Sequence, residues 1–139
     1  MMIQTIGAFI GVVAVAVTFG VPRKFLVYSG LAGAVGWLVY LLLKKADWSE
    51  VISMFFAAMM VSLISHSFAR ILKAPVTLFL IPGIIPLVPG VAMYRIVYHL
   101  ITNNSGLVNY YFREAILIAG MIALAIFIMD TIFRIFQKK

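Results

Sequence analysis

The sequence predicts an all-α integral membrane protein with about five transmembrane helices, the fourth broken by a cluster of prolines and glycines. Three observations carry this prediction. Hydrophobic residues make up 65% of the 139-residue chain and charged residues 11%, with a mean hydropathy of +1.15, far from the composition of a soluble domain. The apolar residues fall into five segments, each long enough for a hydrocarbon core of about 30 Å, which takes roughly 20 helical residues. Finally, residues 80–90 read LIPGIIPLVPG, with three prolines and two glycines inside an apolar run.

The whole chain, 1–139, is read as a single transmembrane domain. The first helix is expected over about 3–21, ending where Pro22, Arg23 and Lys24 combine a helix breaker with two cations. Its apolar run is longer than the core of a cleaved signal peptide, so it is read as retained. A second helix is expected over about 25–43, closed by Lys44 and Lys45. Asp47, Trp48, Ser49 and Glu50 then form a polar hairpin in which Ser49 caps the next helix and Trp48 sits at the interface. The third helix follows over about 50–69, ahead of Arg70 and Lys73. The fourth segment spans about 75–102 and is broken near 82–90. Asn103, Asn104, Ser105 and Gly106 mark a turn, and the fifth helix is expected over about 113–136.

Five crossings put the termini on opposite faces. One face collects Arg23, Lys24, Arg70, Lys73, Arg134, Lys138 and Lys139. The other collects Lys44, Lys45, Arg113 and Arg95, with the acids Asp47, Glu50 and Glu114. The excess of cations on the first face predicts a cytoplasmic C-terminus and an outside N-terminus. The net charge of +7 is spread along the chain rather than gathered on one surface, so nucleic acid is not an expected partner. With no cysteine, a disulfide, a thiolate metal site and a Cys nucleophile are all excluded. The two widely separated histidines make a poor metal site, and Ser62, Ser65 and Ser67 near His66 lack the geometry of a nucleophile turn. The expectation is a protein that is not an enzyme and carries no cofactor.

Small residues recur at four-residue spacing at Gly7 and Gly11, Ala32 and Gly36, Ala58 and Ser62, and Ala115, Ala119 and Ala123. In lipid such stripes let helices approach closely, either within one bundle or against a second protein.

The fourth segment poses the sharpest question. As continuous helix, residues 75–102 would rise about 42 Å, beyond the hydrocarbon core. Pro82, Pro86 and Pro89 each lack an amide donor, and Gly83 and Gly90 loosen the backbone. Unwound backbone at that depth must be buried in protein or line an aqueous cavity. Discontinuous helices of this kind form solute sites in many transporters; the alternative is a kink that only sets packing.

The run KAPVTLFLIPGIIPLVPGVAMY, with Pro86, Leu87, Val88, Pro89, Gly90 and Tyr94, resembles the signature of the threonine/serine exporter family (ThrE type). The resemblance extends through the Val21, Pro22, Arg23 turn and the Trp48 hairpin. It is to the small subunit, equivalent to the C-terminal half of the full-length exporters. It implies a secondary exporter of small polar metabolites, threonine and serine or dicarboxylates such as succinate. It also implies a larger partner subunit resembling the N-terminal half of those exporters.

The candidate substrate or pathway residues are Pro82, Gly83, Pro86, Pro89, Gly90, Tyr94 and Arg95. Arg95 shares a helical face with Val91 and His99, and a buried guanidinium suits a substrate carboxylate; the alternative is snorkelling to headgroups. His66 lies on the small polar face of the third helix with Ala58 and Ser62, as a carrier of a coupling proton or as a structural histidine. Asp130 is the one acid inside a predicted span and away from its first residues, as a proton or cation site or as the partner of Arg134 four residues on. The alternative function is a structural subunit stabilising a partner that carries the pathway. Five helices make a thin wall for an aqueous path, so an assembly is expected, with the larger subunit or as a homo-oligomer.

Overall fold

The structure is a computed structural model and describes residues 2–137. Lys138 and Lys139, counted above toward the cytoplasmic face, lie outside the described residues. Among the described residues there is no strand. Six α-helices follow one another: α1 (Met2–Thr18), α2 (Arg23–Lys45), α3 (Glu50–Leu72), α4 (Thr77–Ile84), α5 (Gly90–Ile101) and α6 (Ser105–Gln137), with a 3-10 turn over Ile85–Leu87 between α4 and α5. The chain is an all-α membrane protein. Helices α2, α3 and α6 are each long and apolar enough to cross a bilayer. The pair 77–87 and 90–101 reaches that length together with a 45° bend, and α1 is shorter, at 17 residues.

Local chemistry sets most of the boundaries. The α1–α2 turn closes with Gly20 at φ +78, a left-handed conformation that glycine takes without a Cβ penalty. Ser49 caps α3 by accepting from the Ile52 amide at 3.3 Å, and Trp48 packs edge-on against Phe56. The last helix begins at Ser105, eight residues before the expected start at Arg113. Asn104 is the reason, because its Oδ1 accepts from the Leu107 amide at 3.4 Å and opens the helix directly after the turn. At 33 residues α6 rises about 50 Å, so its first turns stand beyond the apolar stretch that hydropathy registers.

Helix α2 packs against α1, α3 and α4; α6 packs against α3; and α5 leans on α6. Close approach depends on small residues. A Cβ on Gly33 would meet Val12 Cγ2 at 2.5 Å, one on Gly30 would meet Phe9 and Val13 at 2.7 Å, and one on Gly36 would collide with Val61. The Ala32–Gly36 and Ala58–Ser62 stripes are therefore interior. Gly7 and Gly11 face open space. On α6 the buried face runs through Ala115, Ile118, Ile122 and Ala125, so Ala119 and Ala123 turn outward.

The main core gathers Met54, Ala57, Ala58 and Val61 of α3, Ile118, Ile122 and Ala125 of α6, and Leu87 from the 3-10 turn. A second cluster joins Ala16, Val21, Phe25 and Phe79.

Candidate functional site

The break in the fourth segment follows from its prolines one by one. Pro82 has no amide for the carbonyl of Leu78, four residues back, and the hydroxyl of Ser29 on α2 donates to that carbonyl instead, at 2.8 Å. Pro82 is fully buried there. Next to it, a Cβ on Gly83 would meet Val61 at 2.9 Å and the Gly33 amide nitrogen at 3.5 Å, so this glycine lets α4 lie against α2 and α3. Pro86 then limits the helix to a 3-10 turn, with the Val88 amide donating to Ile85 at 3.2 Å. Pro89, at φ −75 and ψ 60, is the centre of an inverse γ-turn, closed by the Gly90 amide donating to the Val88 carbonyl at 2.7 Å. The carbonyl of Pro86 thereby loses both normal donors. Pro89 has no amide, and that of Gly90 is committed to Val88.

This unwound stretch lines a cavity of about 320 Å³. Pro86, Pro89, Gly90 and Arg95 line it, and Trp37, Tyr40, Glu50 and Glu114 face them across it. Of the residues singled out from sequence, Pro82 and Gly83 instead lie in the packed contact with α2 and α3. Tyr94 is largely exposed and stacks on Tyr98. Arg95 is exposed rather than buried; its guanidinium lies 5.2 Å over the Tyr111 ring, with Nη1 3.4 Å from the Tyr111 hydroxyl.

Glu50 and Glu114 are the charged lining residues that sequence reasoning missed as part of the site. Glu50 is engaged, since the Tyr40 hydroxyl donates to its Oε1 at 2.8 Å and Lys44 Nζ lies 3.5 Å from its Oε2. Glu114 is half-buried. The only available signal was that three of the four acids fall on the same side of the membrane as Arg95.

A second, wider cavity of about 870 Å³ opens at the other end of α3. Glu50 and His66 bracket the distance between the two cavities, about 24 Å along the helix. This groove is lined by His66, Arg70, Lys73, Asp130, Phe133 and Arg134, with the chain entering α4. Both sequence-derived coupling candidates meet here. Asp130 pairs with Arg134 at 2.9 Å, the expected local pair, and also lies 4.0 Å from His66 Nε2. His66 stacks on Phe133, with ring centroids 4.8 Å apart, and its side chain is 12% exposed. Arg70 covers the other approach, over the Phe133 ring at 4.8 Å and donating to the Phe133 carbonyl at 2.7 Å.

The apolar core lies between the two cavities. Leu87, fully buried, enters it from the same 3-10 turn whose Pro86 lines the break cavity. Ser62 and Ser65, beside this core, are buried with no hydrogen-bond partner for either hydroxyl among the described residues. Such groups cost free energy in an apolar interior, about 1–3 kcal/mol each.

No solved structure matches this chain. The family model described as threonine/serine exporter, ThrE, matches residues 4–132, from the first turn of α1 to the last turns of α6. With its membrane helices and a match over nearly its whole length, the chain belongs to the threonine/serine exporter family, a family of membrane transporters.

Proposed function

We propose that this chain is the small subunit of a secondary exporter, moving small polar metabolites out of a bacterial cell through the cell membrane together with a larger partner subunit. The solutes are threonine and serine or dicarboxylates such as succinate. The N-terminus lies outside and the C-terminus in the cytoplasm. One observation carries the reading: the proline-broken segment lines a cavity at which the charged side chains of Glu50, Arg95 and Glu114 are gathered. Unwound backbone at bilayer depth is tolerated where it is buried or faces water, and here it faces a cavity.

In this reading the solute rests against Pro86, Pro89 and Gly90. The α5 N-terminus, whose Gly90, Val91 and Ala92 line the cavity, offers partial positive charge to a carboxylate, and Arg95 offers full charge. Leu87 closes the way to the opposite face. Moving the solute across requires the 3-10 turn to withdraw Leu87 from the core, a displacement that the flanking Pro86 and Pro89 make local. At the other face His66 and Asp130 carry the coupling proton. The assembly with a partner is supported by the unfilled space at Gly7 and Gly11 and by α5, which buries only Ala92.

The test is to express the chain with and without its larger partner and to follow loss of preloaded labelled threonine, serine and succinate from cells. Export that needs both chains is the expected result. No export of any of the three, with both chains in the membrane, would leave the broken segment as architecture and favour a structural subunit.

A further inference from the structure

The break cavity carries three charged side chains, and among the described residues only one of them has neither a hydrogen bond nor an ion pair. Glu50 is engaged by Tyr40 and Lys44. Arg95 lies against Tyr111, an interaction that occupies one of its five donors. Glu114, one helical turn along α6 from Tyr111, makes neither a hydrogen bond nor an ion pair among the described residues, although it is half-buried and lines the same cavity as Arg95. Two opposite charges thus face one small cavity without neutralising each other. A partly desolvated carboxylate in that position gains from any cation that reaches it.

We infer that Glu114 is the specificity-determining residue of the break cavity: it holds the ammonium group of a small zwitterion whose carboxylate is taken by Arg95, and it turns away dianions. The inference rests on the exporter reading of the same cavity and adds to it the residue that chooses between the two solute classes. A dicarboxylate can satisfy Arg95 with one end, but its other end then meets Glu114 and Glu50, a like-charge encounter that works against the wrong ligand. The Trp37 and Tyr40 rings in the wall also favour an ammonium over a second carboxylate.

The experiment uses the full chain in lipid nanodiscs. Trp48→Phe leaves Trp37, in the cavity wall, as the single tryptophan and so as the reporter. Its fluorescence is titrated with L-threonine, with the hydroxybutyrate that lacks threonine's amino group, with the amino alcohol that lacks its carboxyl group, and with succinate. In Glu114→Gln the threonine affinity is expected to fall at least about tenfold, the loss of one charge-assisted contact. Binding of hydroxybutyrate and succinate is expected to hold or tighten, which also shows that the variant keeps its cavity. Glu114→Asp should recover part of the threonine response. Threonine binding in Glu114→Gln equal to that of the parent protein would overturn the assignment and leave the exporter reading standing. Loss of all four responses in both variants would mark a structural role and overturn it as well. A parent protein that responds to none of the four would overturn this inference, while the exporter reading is decided separately by the export measurement with the larger partner present.

Discussion

The break cavity and the histidine groove sit at opposite ends of α3 and solve the same electrostatic problem differently. In the groove, the one acid, Asp130, is held by Arg134 and approached by His66, and Arg70 is tied to the carbonyl and ring of Phe133. Its charges are largely spoken for by neighbours on α3 and α6, two unbroken helices. In the break cavity Glu114 and Arg95 stand apart, beside backbone that has given up its own helical bonds. An internally paired cluster is suited to holding two helices together until a proton or a solute displaces a partner. An unpaired cluster is suited to receiving a ligand. On the proposed function, the difference separates a latch from a seat within one small bundle.

The comparison is broken most severely by filling the seat. Gly90 lines the break cavity and a Cβ there meets nothing within 4 Å. Gly90→Leu is therefore expected to insert and fold normally while its side chain occupies the solute space. Export should fall to background at unchanged membrane abundance; normal export would remove the cavity from the pathway. Thinning the core between the two cavities comes next. Leu87→Ala deletes one of the buried side chains that fill it and should cost about 2–5 kcal/mol of stability, the range for a buried leucine in a packed core. Efflux that no longer depends on a gradient of the coupling ion, read in proteoliposomes with the partner, is the functional counterpart.

The latch gives a smaller effect. His66→Gln keeps a hydrogen-bonding side chain against Asp130, Arg134, Arg70 and Lys73 but cannot change charge. Efflux measured across external and internal pH should flatten if His66 carries the coupling proton. A pH profile of unchanged shape with uniformly lower activity would reduce His66 to a packing residue. The smallest effect is expected from Ser29→Ala, which leaves the Leu78 carbonyl without the donor that replaces Pro82. Hydrogen bonds between membrane helices are worth about 1 kcal/mol, so thermal unfolding in detergent should shift by a few degrees with export retained.

The all-α membrane class, the break in the fourth segment and the Asp130–Arg134 pair were all legible in the sequence, because each rests on local chemistry. Prolines remove donors wherever they stand, and residues four apart on a helix meet. The Ser49 cap was legible for the same reason. The start of α6 was not, since Asn103 through Gly106 read as turn residues and hydropathy is blind to helix that stands clear of the apolar zone. The four-residue rule also failed on α6, where the buried face advances by three and four residues in turn, from Ala115 to Ile118 to Ile122, and leaves Ala119 and Ala123 outside. Glu114 was beyond reach for a third reason. Its importance lies in what it fails to touch, and that depends on how α6 is rotated against α5 and on Tyr40 reaching Glu50 first.

The bond from Ser29 to Leu78 ties two distant stretches of sequence into one heritable feature. A hydroxyl on the second helix is useful there because an imino acid stands at position 82, and the imino acid is affordable because the hydroxyl is present. Related chains that restore an ordinary residue at position 82 regain the amide and release position 29 to drift toward alanine or glycine, whereas chains that keep proline should keep serine or threonine. The two positions are therefore expected to change together, and the order of change matters: losing the hydroxyl first strands a buried carbonyl, and losing the proline first does not.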